Sequence, residues 1–168
     1  MNEPQIELRE AQPYLGIRAV VTHGIRDFAD SAFPELFGWL FEHGVAPGGP
    51  PFLRFHEVDG AGEPLDAEAG VPVESAPTAT DGRVRTGALP AGRYLTSLHV
   101  GPYRSDAMPD LGDARAELVA WARENGTVYG SGTERGLEFP CALERFIVGP
   151  ADDADFTNWR TEFAYLIR

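Results

Sequence analysis

The chain contains no lysine: all 14 of its basic residues are arginine, in a sequence of 168 residues. That absence excludes a P-loop lysine, a pyridoxal Schiff base and the phosphate-holding lysine of kinases, each of which needs a primary amine. Cysteine is nearly absent too. With Cys141 alone no internal disulfide can form, which fits a reducing cytoplasm. No apolar run approaches the roughly 20 residues that cross a bilayer, so no membrane association is expected. The opening Met1-Asn-Glu-Pro-Gln-Ile-Glu-Leu-Arg9 lacks the basic and then apolar segments of a secretory signal. The histidines His23, His43, His56 and His99 form no i, i+4 pair and have no cysteine partner at zinc spacing, so no metal and no cofactor are expected. Positive charge is scarce overall. A formal net charge of -12 repels phosphate backbones, which excludes direct nucleic-acid binding, and attracts cationic partners.

What is present is enough for one core. A chain of this length buries roughly 70% of its unfolded surface, so a single domain over residues 1–168 is expected. Within it one half is written twice. Trp39-Leu-Phe-Glu-His-Gly44 and Trp121-Ala-Arg-Glu-Asn-Gly126 share a W-x-x-E-x-G frame. Each closes a helix that follows a strand, and Tyr14-Leu-Gly-Ile-Arg-Ala-Val-Val-Thr-His-Gly24 parallels Tyr94-Leu-Thr-Ser-Leu-His-Val-Gly101 upstream. The first repeat, about 14–76, reads as a strand over 14–22 and then a helix. Phe33, Leu36, Phe37, Leu40 and Phe41 recur at i, i+3, i+4, i+7 and i+8 on one face of that helix. Strands over 52–58 and 71–75 follow, around the turn Asp59-Gly60-Ala61-Gly62. The second repeat, about 84–168, reads as a strand over 94–100, a helix entered at Pro109 or Asp113 and ended by Gly126, and strands over 142–148 and 161–167. The class is α+β, two β-α-β-β units. The seam between duplicated units is the place to look for a small ligand.

One carboxylate stands out. Glu162 lies in Trp159-Arg-Thr-Glu-Phe-Ala-Tyr-Leu-Ile167, where alternation puts Glu162, Ala164 and Leu166 on one face and Phe163, Tyr165 and Ile167 on the other. If the second face packs on the helices, the first lines the cleft. A carboxylate in an apolar cleft loses hydration, and an organic cation stacked on nearby aromatics restores a partner. The alternative is an edge-strand glutamate in water, paired with Arg160 or Arg168. Gly101-Pro102-Tyr103 reads as a tight turn presenting an aromatic ring. Trp39, Trp121 and Trp159 are candidate pocket walls, although tryptophans at helical spacing are more often core, and Trp39 and Trp121 are expected to be mostly core. Gly130-Ser131-Gly132 lacks the spacing of a nucleophile elbow or a dinucleotide fingerprint. Cys141, with no basic residue beside it in sequence, reads as a small buried hydrophobe.

The run Leu89-Pro-Ala-Gly-Arg-Tyr94, His99-Val-Gly-Pro-Tyr103, the helix ending Trp121-x4-Gly126, and Thr161-Glu162 before a final apolar strand resembles the GyrI-like small-molecule-binding domain. Glu68-Ala-Gly-Val-Pro-Val73 resembles a further segment of it. The resemblance runs from about Tyr14 to the end. It implies two repeats forming a curved antiparallel sheet with a central cleft and two main helices. It implies the effector-binding part of multidrug-responsive and AraC-type activators, with a glutamate matching Glu162 meeting cationic aromatic drugs and Tyr103 near that pocket. No helix-turn-helix precedes Tyr14, so a stand-alone member is expected.

Three functions follow from the resemblance. The first is a cytoplasmic binding protein for cationic or heteroaromatic compounds, with Glu162, Tyr103, Trp159 and Trp39 as ligand contacts. The second is a hydrolase of strained, cyclopropane-bearing xenobiotics at the same cleft, with Glu162 catalytic. The third is a protein-binding inhibitor of DNA gyrase. Hydrolysis needs a proton donor beside the carboxylate; Tyr103 and a second carboxylate are the candidates and the sequence does not choose between them, which favours a binding module over an enzyme.

Overall fold

The computed structural model describes residues 3–168; Met1 and Asn2, where the reading for a secretory signal begins, lie outside the described residues. In chain order the elements are β1 (Gln5–Arg9), β2 (Gln12–Val20), α1 (Ile25–Glu42), β3 (Phe52–Asp59), β4 (Pro64–Pro72), β5 (Arg85–Leu89) and β6 (Gly92–Val100). They continue with α2 (Leu111–Glu124), β7 (Ser131–Gly132), β8 (Gly136–Val148), a 3-10 turn (Phe156–Asn158) and β9 (Arg160–Leu166).

The duplicated W-x-x-E-x-G frame is duplicated in three dimensions. Gly44 and Gly126 follow the two helices at φ 65 and 63, a left-handed conformation that costs glycine little. At both ends the same bonds close the helix. The amides of His43 and Asn125 donate to the Trp39 and Trp121 carbonyls, and those of Val45 and Thr127 to the Leu40 and Ala122 carbonyls. The helix starts differ: α2 is capped by Asp110, which exchanges bonds with Asp113 in a capping box, whereas α1 begins at Gly24 with no side-chain cap.

All strands join one antiparallel sheet in the order β1-β6-β9-β8-β3-β4-β2-β5, with β7 beside β8. The pair β8·β3 is the seam, and the order β8-β9-β6 on one side repeats as β3-β4-β2 on the other. The outermost strands are exchanged. β1 precedes β2 but pairs with β6, and β5 precedes β6 but pairs with β2. Glu10-Ala11 and Pro90-Ala91 are the only residues in those two links, so the sheet must curl and bring its two edges towards each other. The result is a half-barrel with an outer face under both helices and an inner face.

Alternation sorts the side chains between these faces. Leu15, Ile17, Leu53, Phe55, Ala67, Ala69, Val71, Leu95, Ala142, Phe163 and Tyr165 form the outer core with Leu36 and Leu40 of α1 and Leu111 and Leu118 of α2. Tyr14, Phe52, Leu89, Tyr94, Cys141, Leu143 and Ala164 pack on the inner face. There the Phe52 ring lies where a side chain on Gly70 would stand, since a Cβ at Gly70 would come 2.3 Å from Phe52 Cζ.

Three expectations need correction. The strand expected over 71–75 is β4, which begins at Pro64; it lies between β2 and β3, and pairing on both sides overrides the weak strand preference of Asp66-Ala-Glu-Ala. β1 and β5 were not anticipated. In α1 the buried stripe is Ala32, Leu36 and Leu40, while Phe37 is 39% and Phe41 89% exposed. At 3.6 residues per turn Phe41 lies roughly 140° around the helix from Leu36, beyond the width that one sheet face covers.

Candidate functional site

The floor of the outer face between α1 and α2 is set by register. Across β6, β9 and β8, Ser97, Phe163 and Glu144 form one row, and His99, Thr161 and Phe146 form the next. Glu144 is only 2% exposed. Arg115 of α2 grips it bidentately, Nε donating to Oε2 at 2.8 Å and Nη2 to Oε1 at 2.9 Å. Burial still dominates and holds the Glu144 carboxyl above its ordinary 4.5, with Arg115 opposing. In the same two rows the Ser97 and Thr161 hydroxyl oxygens are buried without a hydrogen-bond partner among the described residues. A floor of this kind offers polar groups that the fold itself leaves underused.

Aromatic rings pack in a chain beside this floor. Phe37 and Phe33 of α1 lie 6.4 Å apart, Phe33 meets Phe146 edge-on at 6.2 Å, and Tyr103 packs on Phe146 at 5.6 Å. Tyr103 then packs on Trp159 at 4.7 Å, and Trp159 meets Phe156 at 6.4 Å. The two halves of the chain therefore contribute to one aromatic band over the seam. Burial pushes the Tyr103 phenol up to about 12, with nearby Asp152 adding to the rise.

Of the residues singled out in the sequence, Tyr103 and Trp159 come together in this band. Trp39 does not; it stacks on His43 at 3.8 Å and its indole donates to Asp81 at 2.6 Å. Glu162 stands on the inner face, with Ala164 and Leu166 as alternation required. Its surroundings correct the picture of a bare carboxylate in an apolar cleft. Arg9 Nη2 and Arg145 Nη1 both donate to its Oε1, at 2.9 and 2.6 Å. Neither expected partner, Arg160 or Arg168, is the one used. Cys141, fully buried, is approached from β3 by Arg54, which sequence distance concealed; burial outweighs that charge and pushes the thiol up.

Glu144 is the residue that sequence reasoning passed over. A signal was there: in Ala142-Leu-Glu-Arg-Phe146 the glutamate alternates with Ala142 and Phe146, so a face carrying two apolar neighbours carries a carboxylate between them. Among the described residues no group of histidine, cysteine and carboxylates is placed to hold a metal, and no helix is long and apolar enough to cross a membrane.

A curled sheet of two β-α-β-β halves, with an aromatic band and a buried carboxylate over the seam, defines a small-molecule-binding domain. The model of the GyrI-like small molecule binding domain matches residues 2–162, and the chain belongs to that family. Its fold is similar to that of the EcmrR C-terminal domain, at TM-score 0.80 and 18% identity over 99% of this chain and 97% of that one. The chain spans 57% of the EcmrR chain seen in its complex with DNA. It is also similar to a hydrolase from Listeria innocua, at TM-score 0.62 and 11% identity over 99% of this chain and 92% of that one. A third similar structure is SAV2435 bound to tetraphenylphosphonium, at TM-score 0.57 and 12% identity over 99% and 94%. No curated protein sequence matches the chain.

Proposed function

We propose that this protein binds organic cations carrying aromatic groups in the outer groove between α1 and α2, with Glu144 as the counter-charge and Tyr103, Phe146 and Trp159 as ring contacts. The observation that carries the reading is the complete burial of Glu144 against a single arginine. A desolvated carboxylate demands a cation, and Arg115, whose side chain is 41% exposed, supplies one from a helix that reaches water. A ligand cation that takes its place frees Arg115 to solvent and keeps the buried charge paired, while ring faces add attraction of about 0.5–2 kcal/mol. The structure of SAV2435 with tetraphenylphosphonium supports the choice of ligand class. The formal charge of -12 concentrates cations near the surface in the same sense. A cytoplasmic location belongs to this reading, and the single free cysteine fits it.

This reading moves the selecting charge from Glu162 to Glu144, because a cation at Glu162 has to displace two arginines. Titration calorimetry with tetraphenylphosphonium separates the two. Glu144→Gln is expected to weaken binding by about tenfold to a hundredfold, the value of a hydrogen-bonded charge, and Trp159→Ala by about tenfold. Glu162→Gln is expected to change it by less than about twofold. Unchanged affinity in Glu144→Gln together with loss in Glu162→Gln overturns the assignment.

A further inference from the structure

We propose that the inner face holds a second ligand site, separate from the outer groove, that takes a small organic carboxylate with an apolar body. The inner face carries a half-open cavity of about 470 Å³ between the β1–β2 link and the seam strand β8. Arg9 comes to it from the end of β1 and Arg145 from β8, with Leu89, Tyr94, Leu143 and Pro72 as apolar wall.

The charge arrangement points to an anion. Arg9 and Arg145 share one oxygen of Glu162, so the trio carries one more positive charge than negative. Glu7 also accepts from Arg9 and Glu10 lines the cavity, but the Glu7 side chain is 44% exposed and Glu10 is exposed too, so water screens both carboxylates. Arg145 makes its one side-chain hydrogen bond through Nη1. Its Nε and Nη2 are left without a protein acceptor among the described residues. These are the donors with which a guanidinium grips a carboxylate in fork geometry. The Arg9 guanidinium also rests over the Tyr94 ring, 5.7 Å from its centroid, which holds the charge at the wall of the cavity.

The duplication shows why the cavity is there. By register, Tyr14, Phe52, Arg54 and Glu68 of the first half correspond to Tyr94, Leu143, Arg145 and Glu162 of the second. In the first half the space is closed. The Phe52 ring lies over Gly70, Glu68 accepts from Tyr14 Oη at 2.9 Å and bonds His56 at 2.9 Å, and Arg54 donates to Tyr14 Oη and the Pro140 carbonyl. In the second half Leu143 stands where Phe52 stands in the first, and Ala164 where Gly70 does. The smaller Leu143 leaves room that the Phe52 ring fills in the first half, and Arg145 keeps Nε and Nη2 unused where Arg54 keeps only a buried Nε.

The test is an NMR titration of the whole chain with sodium benzoate, run beside benzyltrimethylammonium chloride at equal ionic strength. Benzoate is expected to give saturable shifts at Tyr94 and Leu143. Arg145→Gln is expected to weaken it by at least about tenfold. Leu143→Phe, which builds the first half's filling into the second, is expected to abolish it while both arginines remain. Glu144→Gln is expected to bind benzoate like the parent chain, so failure of the outer-groove reading leaves this one intact. The proposal is overturned if benzoate gives no saturable shifts at those residues, if Arg145→Gln binds it unchanged, or if benzyltrimethylammonium shifts the same residues as strongly.

Discussion

Glu144 and Glu162 show how little a residue's type says about its role until its neighbours are known. Both sit in strand segments rich in apolar residues, yet only Glu162 stood out in sequence. Glu162 is neutralised by two arginines arriving from β1 and β8, whereas Glu144 is sealed beneath α2 with one. The difference has a consequence for pH. Burial raises the Glu144 carboxyl above 4.5 in the folded chain, so its favourable contribution is fully present below that value. It is lost as pH rises through the folded value, because the native state then has to hold a buried charge. Carboxylates such as Asp66, lowered first by its hydrogen bond from Arg18, act in the opposite direction, so the comparison must be made by difference. Urea unfolding between about pH 4 and pH 8 is expected to show the stability of the parent chain falling relative to Glu144→Gln as pH rises. A constant difference would mean that Arg115 fully compensates the burial.

At the level of elements, local rules named the two helices and their glycine ends correctly, missed where each helix starts, and misjudged what they cover. The glycines and tryptophans of the repeated frame sit at matching positions because the helix terminus is a local structure, closed by bonds within a few residues. The buried stripe is not local. Ala32, Leu36 and Leu40 are covered because β2 and β4 lie beneath them, and the phenylalanines that completed an apolar pattern point to water or to the aromatic band. Leu40→Ala is therefore expected to cost about 2–5 kcal/mol, and Phe41→Ala less than about 0.5 kcal/mol, by urea denaturation. A large loss in Phe41→Ala would place that ring in the core and contradict the orientation of α1.

The whole molecule is tied together by exchange. Each half donates its first strand to the other, β1 to β6 and β5 to β2, so neither half owns a complete edge. Arg9, which meets Glu162 and Arg145, belongs by sequence to the first half and by position to the second. We expect fragments 1–80 and 81–168 to be unfolded alone and to regain the far-ultraviolet spectrum of the intact chain when mixed. Independent folding of either fragment would show that the exchange is dispensable.

The sequence by itself determined the elements that depend on near neighbours: two helices with matched glycine ends, the Asp59-to-Gly62 turn, the alternation that separates Phe163 and Tyr165 from Glu162, and the duplication that implies a seam. Tertiary structure decided which carboxylate is buried, which aromatic rings meet, and where each short edge strand pairs. Those outcomes rest on contacts between residues far apart in the chain, such as Arg115 with Glu144 and Arg9 with Glu162. Periodicity reports the face on which a side chain stands, and only the curled sheet establishes what stands opposite it.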